Sequence, residues 1–219
     1  MNPLSIFITF LFPQHCVECG ESGAYVCEQC LSDIERVSFS PLYNEGLHSL
    51  FPYQNKVVQK SIVLAKYKRV FMALYPFAKP LAEMIFEFEK RLGVFDRPII
   101  LVPIPSTKTS FRKRGFSQTE VLAHYIAKLY PNNFSVTPIL IRLRRNKKQT
   151  ECASRVERIK NMEGIFAVKN RMNTLPHAVY VILDDVITTG ATMRAAQSAL
   201  TKAGARTVIG VSIAYQELH

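Results

Sequence analysis

The chain has 219 residues, 48% of them hydrophobic and 21% charged, with five cysteines and no tryptophan. That composition excludes a disordered or repeat-built chain and leaves room for one ordinary domain plus a small appendage. The formal net charge of +11 points to a polyanionic ligand if the charge proves to be clustered.

Residues 4–12 are an apolar run with no basic residue before it, far too short to span a bilayer. The run reads as a helix packed on the protein itself rather than a signal peptide, with peripheral membrane contact as the minor alternative. Nothing points to secretion. Cys16-Val-Glu-Cys19 and Cys27-Glu-Gln-Cys30 follow, two Cys-x-x-Cys pairs seven residues apart, with Gly20 just past the first. Such knuckles suit four thiolates around one structural Zn²⁺. Two disulfides or a redox dithiol are the competing readings, disfavoured by the lack of a secretion signal and by the presence of a second pair. A segment this small has little core of its own, so metal binding would supply much of its folding energy. His15 reads as a bystander and Cys152 as a spare thiol in a basic neighbourhood.

Residues 47–53 read as a strand and 55–67 as an amphipathic helix carrying Val57, Val58, Ile62, Val63 and Ala65. A second helix spans 80–92, with a basic end at Lys90-Arg91 and a stop at Gly93. Both helices are expected to cover the main sheet and carry no assigned chemistry. The main domain starts near Asp96, with a strand at 99–102 closed by Pro103-Ile-Pro105. A loop over 106–118 leads to a helix at about 119–129, where Ser117 and Glu120 stand at capping-box spacing. A strand follows at 139–141, then a polar, basic stretch over 144–160. The last elements are a buried strand at 179–183, a helix running through Leu200, and a strand at 207–213. Strands alternating with helices imply an α/β fold with a largely parallel sheet, whose ligands sit at the C-terminal strand ends. The expected divisions are a zinc module at 1–36, a connecting segment at 37–95 packed on the core, and the main domain at 96–219.

The chemistry concentrates after the buried strand. Asp184 and Asp185 follow it directly, and Thr188, Thr189, Gly190, Ala191 and Thr192 open the next helix. A small-residue loop entering a helix offers unpaired N–H groups and the positive dipole end to a phosphate. Gly190 would let the backbone approach an anion, and the threonines add hydroxyl donors. The aspartates suit sugar hydroxyls or a hydrated divalent cation instead. Phosphate at one end and a polyol at the other describe a sugar phosphate.

Charge is clustered as well. Residues 106–160 hold thirteen Lys or Arg against three acids, whereas residues 1–40 hold five acids and only Arg36. Both basic stretches belong beside the strand ends, so pyrophosphate, nucleic acid or both are the expected ligands. The residues expected to meet them are Lys108, Arg112, Lys113 and Arg114, together with Arg144, Arg145, Lys147 and Lys148.

The stretch from the strand at 179–183 through Asp184-Asp185 to Thr188-Thr-Gly-Ala-Thr192 resembles the 5-phosphoribosyl-1-pyrophosphate (PRPP) signature of type I phosphoribosyltransferases. Over nearly its whole length the chain resembles the ComF/ComFC family of phosphoribosyltransferase-like proteins. The cysteine pairs, Lys66-Tyr67, Val102-Pro-Ile-Pro105 and Arg112-x-Arg-Gly-Phe-x-Gln118 carry that resemblance. So do Gln149, Arg155, Glu157-Arg158, Asn161 and Gly164-x-Phe166. Ser117 stands where the family pattern has Asn, and Lys148 where it often has Pro. The resemblance implies a type I phosphoribosyltransferase-like core with a small four-cysteine zinc finger. PRPP and Mg²⁺ would bind at residues 184–192, with Asp184 and Asp185 as the catalytic pair if the site is active. The loop over 106–115 would face pyrophosphate, and the segment over 144–160 would be a flap. It further implies a role in natural competence, handling imported single-stranded DNA in the cytoplasm or at the inner face of the membrane, beside DNA-uptake or helicase proteins. The alternative is an active transferase moving ribose 5-phosphate from PRPP to a nitrogenous acceptor.

Overall fold

The computed structural model describes residues 14–37, 42, 45–143, 164–169 and 175–217. The apolar run at 4–12, Cys152, and the expected flap with Arg144, Arg145, Lys147 and Lys148 lie outside the described residues. In chain order the elements are α1 (Glu28–Ser32), β1 (Leu47–Pro52), α2 (Lys56–Tyr67), a 3-10 segment (Phe71–Phe77) and α3 (Ala78–Leu92). Then come β2 (Ile99–Pro103), α4 (Lys108–Arg114), α5 (Gln118–Leu129), β3 (Phe134–Val136), β4 (Leu140–Arg142) and β5 (Phe166–Val168). The chain ends with β6 (Val179–Ile187), α6 (Ala191–Lys202) and β7 (Thr207–Tyr215).

Five strands form one parallel sheet in the order β1-β7-β6-β2-β3, with helices packed on both faces. The apolar runs at 99–102 and 179–183 make its centre, and all their residues are buried, as expected of strands covered on both sides. Period-two alternation divides β6 between two cores. Val179, Val181 and Leu183 join α2, α3 and α5, while Tyr180 and Ile182 join α6. β1 pairs with β7 as an edge strand, so the sheet draws on the connecting segment as well as on the residues after Asp96.

The element ends follow local chemistry. Asn55 Oδ1 accepts from the N–H groups of Val57 and Val58 at 3.0 and 3.3 Å and so starts α2. α3 begins at Ala78 rather than at Pro80, because proline is tolerated in a first turn whose N–H groups lack helical partners anyway. Gly93, at φ +61°, ends it. The expected loop over 106–118 contains a short helix, α4, whose start is capped by Thr107 Oγ1 accepting from Ser110 N at 3.1 Å. Ser117 occupies the N-cap position of α5, but the capping box does not form. Its hydroxyl is buried and shares a hydrogen bond with Thr119 Oγ1 at 3.0 Å instead. The strand expected at 139–141 is β4, which pairs with β5 in a separate antiparallel ribbon. Among the described residues no helix is long and apolar enough to cross a membrane.

Candidate functional site at the carboxyl end of the sheet

β6 is longer than its apolar run predicts. On one side β2 stops pairing at Pro103, opposite Leu183, whereas on the other β7 continues alongside as far as Ile187 and Tyr215. Asp184 and Asp185 therefore lie within a strand that is already free along one edge. Adjacent strand residues point to opposite faces, and the contacts of the two acids divide accordingly. Asp185 is 7% exposed and accepts from Lys66 Nζ at 2.9 Å, the lysine reaching over from the last turn of α2. Asp184 is half-buried, and one of its oxygens accepts from the Asp185 N–H at 2.9 Å.

The electrostatics follow from burial and crowding. Burial first, and then the neighbouring Asp185 charge, push Asp184 up to about 7, against the pull of Lys66 and Arg142. Burial works against the Lys66 charge, but the Asp185 and Asp184 carboxylates outweigh it and hold the lysine above its ordinary value. Arg142, at the end of β4, lies 4.8 Å over the Phe166 ring, and its Nε donates to the Pro105 carbonyl at 3.5 Å. Burial lowers its pKa while Asp184 opposes that shift. Among the described residues, Lys66 bonds Asp185 directly and Arg142 acts on Asp184 through its charge. The sequence reading gives Lys66 no role and counts Arg142 only as part of the basic region expected to meet a polyanion. Lys66 was visible only as part of a family resemblance, and its contact spans 119 positions.

The loop after β6 is held from both sides. Thr189 Oγ1 accepts from Ala191 N at 3.3 Å, and Arg194 Nη2 donates to the Thr189 carbonyl at 2.6 Å. The same guanidinium bonds Glu45 Oε2 through Nη1, also at 2.6 Å. Gly190 is the N-cap of α6 at φ +74°. A Cβ there would lie 2.9 Å from Leu42 Cδ1 and from Leu47 Cδ1. Glycine is required here by a left-handed backbone and by core packing, whatever its value to an anion. Thr188 and Thr192 are half-buried in the same segment.

Of the first basic stretch, Arg112 is exposed on α4 and Lys108, Lys113 and Arg114 belong to the same helix. A cavity of 270 Å³ between Pro103, Ser106, Arg112 and Leu140 adjoins the end of β2, but residues 184–192 do not line it. The second basic stretch, over 144–160, lies outside the described residues.

The sulfur atoms of Cys16, Cys19, Cys27 and Cys30 all lie within 4.8 Å of one another, with Cys19 and Cys27 at 3.6 Å. Four ligands at about 2.3 Å around a tetrahedral Zn²⁺ are separated by about 3.8 Å, so the cluster could hold a structural zinc ion. Backbone N–H groups of Cys27 and Cys30 point at Cys16 Sγ and Cys27 Sγ, both at 3.5 Å. Four sulfurs close the coordination sphere and leave no position for substrate. The module is tied to the body by Val26 and Ile34 in the main core and by the ion pairs Lys60–Glu18 and Arg36–Glu83.

No protein-family model matches the chain. Competence protein ComFC of Bacillus subtilis (strain 168) is 36% identical over 109 residues, which are 50% of this chain and 41% of that protein. The match thus spans about two fifths of that relative's length. Competence protein F of Haemophilus influenzae (strain Rd) is 24% identical over 199 residues, 88% of this chain and 80% of that protein.

Proposed function

We propose, from the ComF/ComFC family that these two relatives support at modest identity, that the chain is a competence protein with a PRPP-type site that handles imported single-stranded DNA in the cytoplasm. One observation carries the ligand: two carboxylates on a parallel strand end, one of them held by Lys66, followed within five residues by the glycine-capped start of α6. That arrangement sets N–H groups suited to a phosphate beside carboxylates suited to ribose hydroxyls. In this reading the N–H groups of residues 188–192 hold the 5-phosphate and Asp184 accepts from the ribose. Arg142 and the α4 residues Lys108 and Arg112 take the pyrophosphate. Lys66 holds Asp185 in place. Mg²⁺ would ride on the pyrophosphate with most of its water. Asp184 is the acid available to it, since Asp185 is engaged by lysine. Zn²⁺ at the four cysteines would hold the N-terminal module together.

Thermal unfolding with added PRPP tests the site. A ligand that binds only the folded chain stabilises it by about 2.7 kcal/mol at a hundredfold excess over Kd, so PRPP should raise Tm. Ribose 5-phosphate alone should raise it less. No shift with PRPP, or an equal shift with ribose 5-phosphate, contradicts the reading.

The DNA part rests on charge. Residues 106–115 and 142–160 would form a surface overlapping the pyrophosphate side, so PRPP should compete with DNA. Log affinity should fall with log salt by about 0.7 per phosphate neutralised. Anisotropy titrations should show weakened binding on removing charge at Arg112, Lys113 and Arg114, or at Arg144, Arg145, Lys147 and Lys148. Unchanged affinity in both variants removes the DNA surface and leaves the transferase as the better account.

A further inference from the structure

Phe111 is an unusual residue for a basic surface helix. It is 49% exposed on α4, and among the described residues its ring packs against no other ring. The helix carries Lys108, Arg112, Lys113 and Arg114 within seven residues and contains no acid. Phe111 also stands between two cavities, lining both the 270 Å³ hollow at the end of β2 and a groove of 440 Å³ on its other side.

That second groove has an aromatic wall. Phe116 meets Phe71 edge-on at 5.3 Å, Phe71 meets Tyr75 at 6.2 Å, and Tyr75 lies flat on Tyr125 at 3.7 Å and 2°. Rings packed in series make a rigid surface, which loses little freedom when a further flat group is laid on it. Glu120 lines both cavities. Its carboxylate repels phosphate but accepts hydrogen bonds from an amino group on a flat ring. The groove side therefore suits planar, π-faced, donor-bearing groups, and α4 beside it suits phosphates.

We propose that Phe111 is a base-stacking residue, and that the two cavities flanking it form a track for the bases of a single nucleic-acid strand whose phosphates run along α4. The inference rests on the DNA-handling reading above and adds to it a site for the bases. Duplex DNA does not fit the proposal, because its bases are already stacked on one another.

The test uses the full-length protein and two labelled oligomers of about 20 nucleotides, one an oligodeoxycytidylate and the other an abasic strand with the same phosphates. Wild type should bind the base-bearing strand about tenfold more tightly at equal salt. Phe111→Ala should reduce that binding to the abasic level without changing the salt slope, which reports phosphates alone. Phe111→Trp should retain the preference. It also places the chain's first tryptophan at the site, where its fluorescence should be quenched by the base-bearing strand only. Equal wild-type affinity for the two strands, or a preference that survives Phe111→Ala, overturns the base track while leaving an electrostatic DNA surface standing. Free cytidine monophosphate bound as tightly as the oligomer also overturns it, in favour of a mononucleotide pocket. No binding of either strand removes the DNA reading itself, and this inference with it.

Discussion

Replacing Lys66 by methionine removes one charge while keeping most of the stem. Asp185 is 7% exposed, and its cation is Lys66 Nζ at 2.9 Å, so the variant strands a carboxylate beside Asp184. Breaking a buried ion pair by removing one partner costs about 3–5 kcal/mol. The lysine side chain is 26% exposed, and that solvent access lowers the expected loss to about 2–3 kcal/mol. For a chain of this size each kcal/mol moves Tm by about 2–4 °C, so a fall of roughly 5–10 °C is expected near neutral pH. The sign with pH is fixed. Asp184 is already raised to about 7 with the lysine's charge pulling it down. Without that charge its ionisation is harder still, so the deficit from this group grows as pH rises above about 7 and is absent at acid pH, where the carboxyl is protonated. Adding Asp185→Asn to Lys66→Met removes the stranded charge and should recover most of the loss. Thermal and urea unfolding of Lys66→Met, Asp185→Asn and the double variant at neutral and acid pH reads all of this. A single variant within about 0.5 kcal/mol of wild type, or a double variant as unstable as the sum of the two singles, would refute the ion-pair account.

Asp184→Asn should stabilise the protein above neutral pH by about 1–2 kcal/mol, after allowance for its partial solvent access. The folded carboxyl is raised from 3.8 to about 7, so the gain appears as pH rises through that interval and is absent below it, as read by urea midpoints across pH. Gly190→Ala combines a left-handed φ with a Cβ 2.9 Å from two leucine methyls. A loss of about 2–4 kcal/mol is expected in denaturant unfolding, and an unchanged midpoint would show that the loop simply shifts. Metal analysis should find about one zinc per chain. Chelation or Cys16→Ser should lower Tm by releasing the module from the core that Val26 and Ile34 share. Metal-free protein with an unchanged Tm would remove the zinc.

The sheet was legible because its strands are short, uninterrupted apolar runs between helices, a pattern that few architectures other than a covered parallel sheet accommodate. The acids and the glycine-threonine loop were legible for a related reason: neither suits a buried strand end unless something polar binds there. What escaped notice depends on distance or on local competition. The Lys66–Asp185 contact joins residues 119 positions apart, and Arg142 belongs to a ribbon formed only when β4 meets β5. No periodicity encodes either. α4 was missed because its residues are polar and basic, with no apolar stripe. Its signals were Thr107 before it and Gly115 after it. The capping box at Ser117 failed because Thr119 bonds both Ser117 Oγ and the Ile104 carbonyl, so tertiary contacts took the hydroxyl that local sequence offered to the helix.

In the proposed reading the end of β6 and the start of α6 bind PRPP. Calorimetric titration of PRPP in Mg²⁺ into wild type and into the Asp184→Asn/Asp185→Asn variant tests it most directly, with zinc content and unfolding curves confirming that the variant is folded. One PRPP per chain and an affinity at least about tenfold weaker in the variant are expected, a difference of about 1.4 kcal/mol. No heat of binding in wild type, or equal affinity in the two proteins, would contradict it.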